Sequence, residues 1–251
     1  MLIEQLNDTQ LKSFDREFIK NKRWETIKRY IERDFPDGCF TFMDIGGGNG
    51  NFADRVLGNW PKSQGVVLDN SRLLLNKNKP NSRKTLLFDS VENLESHAEN
   101  KFDLVTLNLV LHHVVARASY SRCLDNISGV LRSVRTILSE RGRVSVFEQM
   151  YIGLFLDVAP SWIIYQLTSH KTMANIIRKC GANTAGIGVC FLTYKQWCSV
   201  IQRIGFRFEY TEDGLFPVPW TWRSLLHVRR LESGCFWLSP SAIKPQRADS
   251  I

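Results

Sequence analysis

The chain has 251 residues, 43% of them hydrophobic and 23% charged. That balance excludes a disordered tail, a collagen-like rod and a coiled coil, and the length suits one α/β domain with an insertion or two small domains. The formal net charge of +8 gathers late, with 13 Lys/Arg against 7 Asp/Glu over residues 141–251, so an anionic acceptor or a nucleic acid would be favoured near that part.

The opening MLIEQLNDTQ carries acids and no apolar block, which is unlike a signal peptide. Leu11, Phe14, Phe18, Ile27, Ile31 and Phe35 then recur at helical spacing and predict one or two amphipathic helices ahead of the core. Four short apolar runs follow: Cys39–Ile45, Gly65–Leu68, Lys84–Phe88 and Phe102–Leu109. With helix-length segments between them, they predict a parallel sheet of βαβ units. Tyr120 to Leu138 has helical spacing, and Arg143–Phe147 after Gly142 reads as a fifth strand.

Residues 150–190 break this rhythm and predict a mainly helical insertion over the working edge of the sheet. The most apolar stretch, Ile152–Leu167, is interrupted by Asp157 and Pro160, so no transmembrane helix and no membrane partner are expected. Thr193 reads as the N-cap of a helix that Gly205 stops. Phe206–Glu212 and Ser224–Leu231 read as two antiparallel strands at one edge, and residues 239–251 as a frayed tail. The six cysteines are scattered without a C-x-x-C pair, so neither a zinc site nor a redox motif is indicated and reduced thiols are expected. A soluble, cytoplasmic protein is the resulting expectation.

The informative motif is Asp44-Ile45-Gly46-Gly47-Gly48-Asn49-Gly50, placed where a first strand turns into a helix. Glycines there let the backbone turn tightly and approach a ligand with no Cβ in the way. The dinucleotide fingerprint needs a glycine at the sixth position, where this chain has Asn51, and the Gly-Lys-Ser/Thr ending of a P-loop is absent.

With this motif in place, the sequence resembles the class I S-adenosylmethionine-dependent methyltransferases, close over about residues 39–150 and in outline over 193–238. The resemblance implies a Rossmann-like α/β fold: a seven-stranded, mostly parallel sheet with an antiparallel edge strand, a helical N-terminus (1–38) and a helical acceptor-binding insertion (150–190). One domain would span 1–238, with a tail at 239–251. The implied cofactor is S-adenosyl-L-methionine, leaving as S-adenosyl-L-homocysteine. Asp44, Gly46, Gly48 and Gly50 would frame its methionine part. Asp69, with Asn70 beside it, would take the ribose hydroxyls, and Asp89 with Ser90 the adenine amino group. Asn108, at the end of FDLVTLNL, would flank the cofactor.

Methyl transfer from a sulfonium is an in-line displacement, so alignment and desolvation can supply much of the catalysis. A hydroxyl acceptor also benefits from a base, whereas an ionised carboxylate needs none. His112 and His113 are the candidate bases, since imidazole titrates near neutrality, with Tyr151 as a further candidate and Glu148 as an orienting group. Trp162, Tyr165, His170 and Lys171 are candidate acceptor contacts, and the Pro217–Arg223 segment with Arg229 and Arg230 a candidate grip for an anionic or aromatic one. No metal is expected, because the strand ends lack the Asp/Asp/Asn cluster of a magnesium-dependent catechol enzyme.

The acceptor this favours is an oxygen, a carboxylate included, on a small-molecule or peptide natural product. An RNA or protein acceptor is the alternative that the charge supports. The Asn/Asp-Pro-Pro-Tyr/Phe signature of base N-methylation is missing, however, since Asn108-Leu109-Val110-Leu111 stands in its place. A catalytically silent cofactor-binding partner subunit is a third reading, opposed by the intact Asp44, Asp69 and Asp89.

Overall fold

The computed structural model describes residues 21–115, 119–179, 182 and 184–241. Leu11, Phe14 and Phe18 of the expected N-terminal helix, Cys180, part of the small-residue loop after it and the tail beyond residue 241 lie outside the described residues. The strands are β1 (Thr41–Ile45), β2 (Gln64–Asp69), β3 (Lys84–Phe88), β4 (Phe102–Asn108), β5 (Leu138–Gly153), β6 (Phe206–Phe216) and β7 (Val228–Pro240). They form one sheet in the order β3-β2-β1-β4-β5-β7-β6. β1 to β5 pair in parallel, and β7 runs antiparallel between β5 and the edge strand β6.

The helices are α1 (Asn21–Asp34), α2 (Asn51–Asn59), α3 (Arg72–Leu75), α4 (Tyr120–Thr136), α5 (Ala159–Ser169), α6 (Ala174–Lys179), α7 (Tyr194–Arg203) and α8 (Trp220–Leu225). Short 3-10 turns stand at Val91–His97, Leu111–His113 and Lys171–Met173. Because helices cover both faces, β1 and β4 are apolar and buried along most of their length rather than alternating. One core joins α4 and α7 to the sheet through Ile127, Leu131, Val134, Trp197 and Ile201. The other joins α1 and α2 through Trp24, Ile27, Ile31, Val56 and Leu57.

α1 is tied down by more than its apolar stripe. Tyr30 stacks on Trp237 with 5.0 Å between ring centroids. Asp34 accepts from the Trp237 indole N–H at 2.9 Å and the Arg143 guanidinium at 2.6 Å. Burial raises the Asp34 carboxyl, but the bonds from Arg33, Trp237 and Arg143 outweigh it and hold the pKa down at about 2. α7 begins as its sequence predicts, with Thr193 and Gln196 closing a capping box.

Among the boundaries that differ from the sequence expectation, three follow from strand pairing. Ser224 and Leu225 complete α8, and the last strand begins only at Val228, because its partners on β5 begin opposite Gly153. The same pairing carries β5 on to Gly153, so the insertion starts three residues after residue 150. β7 extends to Pro240, opposite Phe206, two residues past the boundary expected at 238. Among the described residues no helix is long and apolar enough to cross a membrane.

Candidate active site

At the carboxyl end of β1 the chain enters the glycine loop with Gly46, Gly48 and Gly50 all at positive φ (68°, 51° and 73°), the left-handed region that costs an L-residue about 1–2 kcal/mol. Space is also short. A Cβ on Gly46 would stand 2.5 Å from Val110 beyond the end of β4, and one on Gly47 would stand 2.5 Å from Asp44 Oδ2. The loop is held to β2: the Gly46 N–H donates to the Leu68 carbonyl at 2.7 Å, and the Gly48 N–H to Asp69 Oδ2 at 2.9 Å. Asn78, after α3, closes it from outside by donating to the Gly48 carbonyl at 2.8 Å.

The acids around this loop differ in what they already bind. Asp69 is buried, and its other oxygen takes the Ser71 N–H at 2.8 Å. Burial raises its pKa against the pull of those two backbone bonds. Asp44 is buried more deeply. Its Oδ1 accepts from Thr106 at 2.6 Å and from Asn108 at 3.5 Å, while Oδ2 and Asn108 Oδ1 find no partner. Burial pushes the Asp44 carboxyl up to about 7 although the Thr106 and Asn108 bonds oppose it. Asp89 is engaged by the Ser90 N–H, Asn93 and His97 at 2.7–2.8 Å. Burial raises it too, but those bonds prevail and its pKa lies below the ordinary value. Asn70 is exposed beside Asp69.

Where β4 ends beside β5, Glu148 is fully buried and accepts from the Leu111 N–H at 2.7 Å and from His112 Nδ1 at 2.6 Å. In a neutral His112, donation from Nδ1 to this carboxylate would leave the ring's lone pair on Nε2. The ring is fixed further by Phe191, stacked at 4.8 Å, and by His113 at 4.1 Å between centroids. Burial, and then the neighbouring His112, push the His113 pKa well below the ordinary value. Tyr151 also packs against Phe191, with 4.8 Å between ring centroids, and burial raises its hydroxyl. Phe191 thus joins His112 to Tyr151, and His113 packs on His112.

Beyond Phe191 the insertion opens. Tyr120 at the start of α4 donates its hydroxyl to the Phe191 carbonyl at 2.9 Å. Next to it a cavity of about 630 Å³ lies between α4 and α5, lined by Tyr120, Trp162, Tyr165, Gln166, His170 and Lys171 among others. The sequence-predicted acceptor contacts are therefore brought together. The Pro217–Arg223 segment is not part of this cavity.

Residues 43–144 match a family described as a methyltransferase domain. No curated protein matches the chain in sequence. Among solved structures, the plantazolicin methyltransferase BamL, in complex with a triazolic desmethylPZN analog and SAH, superposes with a TM-score of 0.60 at 12% identity, over 92% of this chain and 88% of that one. BpumL, with a pentazolic analog and SAH, gives 0.58 at 15% over 93% and 89%. The DhpI–SAH complex gives 0.56 at 11% over 94% and 93%. The chain has the class I methyltransferase fold.

In a class I methyltransferase fold the glycine loop and the β2 acid are legible from spacing, and both are found together here. Other members of this site have no local signal. Phe191 lies in an unpatterned stretch before α7 and Asn78 in a polar turn. Thr106 sits mid-strand among apolar residues. Their places follow only from packing. Leu109 is a different case, since its φ of 58° marks a strained turn between Asn108 and the histidine pair that no residue type there announces.

Proposed function

We propose that this chain is a class I S-adenosylmethionine-dependent methyltransferase that methylates an oxygen of a small-molecule or peptide natural-product acceptor. The observation that carries the reading is the pair of orphaned buried acceptors, Asp44 Oδ2 and Asn108 Oδ1, behind a glycine loop that leaves no room for a Cβ at Gly46 or Gly47. Buried polar atoms without partners are costly. A cationic ligand end lying along the loop would satisfy both. Asp69 adds a carboxylate suited to vicinal hydroxyls, and repels a ribose phosphate. Adenine would share Asp89 with Asn93 and His97. When bound, the cofactor supplies the methyl group already activated on a sulfonium.

The chain's own contribution is alignment, exclusion of water and proton placement. Phe191 and Tyr151 wall the β4–β5 crevice with apolar surface. Glu148 holds His112 so that Nε2 accepts the proton of an acceptor hydroxyl, and a carboxylate acceptor would need no such step. His113, kept neutral by burial, shapes the wall rather than carrying charge. The cavity beside α5, with Trp162 over it and Lys171 at its edge, supports an acceptor larger than the reacting group. The tailoring enzymes of similar fold, whose structures hold desmethylPZN analogs, support a peptide natural product.

Calorimetry with S-adenosylhomocysteine and with NAD tests the cofactor reading. Micromolar binding of the first and none of the second is expected, and binding of neither would overturn it. Labelled-methyl transfer into fractionated small-molecule and RNA pools then tests the acceptor class, and label in RNA alone would replace it.

A further inference from the structure

Five of the most exposed apolar side chains come from segments that meet at one corner of the sheet. Phe155 is 88% exposed, Trp220 77%, Leu156 67%, Leu225 64% and Leu215 57%. They come from two segments, the turn after β5 and the β6–α8–β7 connection, which the structure joins. Gly153 pairs with Val228, the Leu154 N–H donates to the His227 carbonyl at 2.8 Å, and the Phe155 ring meets that of His227 at 6.5 Å. The turn is closed rather than loose: the Gly153 N–H reaches the Asp157 carbonyl and the Ala159 N–H the Leu156 carbonyl. The strand therefore folds straight back, leaving Leu154-Phe155-Leu156 at its tip. Monomers seldom expose contiguous apolar surface of this kind without a use for it.

The same corner is positive. Arg223, Arg229 and Arg230 are exposed on it. Its acids are paired, Asp157 with Lys195 at 3.5 Å and the largely buried Glu232 with Arg230 of the same corner at 2.5 Å. Arg223 donates to the Arg229 carbonyl, and neither Arg223 nor Arg229 forms an ion pair among the described residues. The patch thus combines protruding Phe, Leu and Trp with three exposed arginines, of which Arg223 and Arg229 form no ion pair among the described residues.

We propose that this corner docks the protein onto an anionic lipid bilayer, with Phe155, Leu156 and Trp220 entering the headgroup boundary and Arg223 and Arg229 against lipid phosphates. Side chains this exposed are convex projections, which a deformable interface can envelop, and aromatic and aliphatic groups flanked by arginine are what that interface takes up. A second copy on this face would set arginines against arginines across a two-fold axis, which disfavours it. The absence of a spanning helix does not bear on peripheral docking. The sequence-based expectation of no membrane partner rested on that absence alone.

The test is co-sedimentation of the full chain with phosphatidylcholine vesicles and with vesicles containing phosphatidylglycerol. Binding about tenfold or more tighter to the anionic vesicles, weakening with salt, is expected. Phe155→Asp with Trp220→Asp should lose that binding by about tenfold or more. Arg223→Gln with Arg229→Gln should bind both vesicle types alike. S-adenosylhomocysteine binding, unchanged in every variant, checks that they fold. If the parent fails to bind S-adenosylhomocysteine yet sediments with vesicles, the methyl-transfer reading falls and the docking stands. The docking is overturned if the parent stays in the supernatant with both vesicles, or if the Phe155/Trp220 variant binds like the parent, which is adsorption by overall charge. It is overturned equally if sedimentation equilibrium shows a dimer that this variant breaks, since the face then belongs to a second copy.

Discussion

On the β3–β2–β1 side of the sheet, the polar groups framing the glycine loop come from strand ends and nearby turns: Asp44 near the end of β1 and Gly46–Gly50 after it, Asp69 at the end of β2, Asn78 after α3. On the β4–β5–β7 side, the candidate reacting groups are assembled from distant parts of the chain. His112 meets Glu148 from the next strand, Phe191 from beyond the insertion packs on both His112 and Tyr151, and Tyr120 fastens Phe191 in place. The first side depends on backbone conformation and buried carboxyls, which few residue types can supply. The second depends on packing, which many sequences can reach.

Substitutions on the two sides should separate accordingly. The largest effect is expected at His112→Ala, which should lower methyl transfer by about 10²–10⁴-fold while calorimetric S-adenosylhomocysteine affinity stays within a factor of two or so of the parent. Full activity in this variant would leave alignment as the mechanism.

Asp44→Asn probes the other side through pH. With the folded pKa raised to about 7 against about 3.9 in the unfolded chain, the native state keeps a proton that the unfolded state releases. Asp44 therefore makes stability fall as pH climbs from about 4 to 7, by up to about 4 kcal/mol. Asp34, held at about 2, acts in the opposite sense, and its contribution is lost only below about pH 4. Thermal melts of parent and Asp44→Asn at pH 5 and pH 8 should differ by this slope, and parallel curves would contradict the burial argument.

Gly46→Ala combines a left-handed φ with a clash against Val110 and should cost about 2–4 kcal/mol in chemical denaturation. Asp69→Ala should weaken S-adenosylhomocysteine binding by about 1.5–3 kcal/mol, tenfold or more. Unchanged affinity would remove Asp69 from the ribose site. The smallest effect is expected at Gly58→Ala, inside α2 with nothing within 4 Å of the added methyl, which should stabilise by about 0.5–1 kcal/mol. A loss there would mean that α2 needs more than helix propensity.

Much of the sheet is legible in the chain because each parallel strand is a short apolar run ending at a polar turn. β1 to β4 fall where their sequences predict, within two residues at either end. The last strand is less legible. Ser224–Leu231 has apolar residues that fit a helix end as well as a strand, and the choice is made by what β5 offers opposite Val228. In the same way Glu148 is visible as an acid after a strand, but its burial and its two hydrogen bonds are not.

By itself the sequence determined the glycine turn and the acids behind it, since positive φ and close backbone approach restrict residue choice locally, and it marked the parallel strands as short apolar runs. Only the tertiary structure decided that Phe191 joins His112 to Tyr151, that Asp44 keeps an oxygen without a partner, and that Phe155 and Trp220 share an exposed corner. Those are contacts and solvent exposures between segments far apart in the chain, and no local rule of residue type contains them.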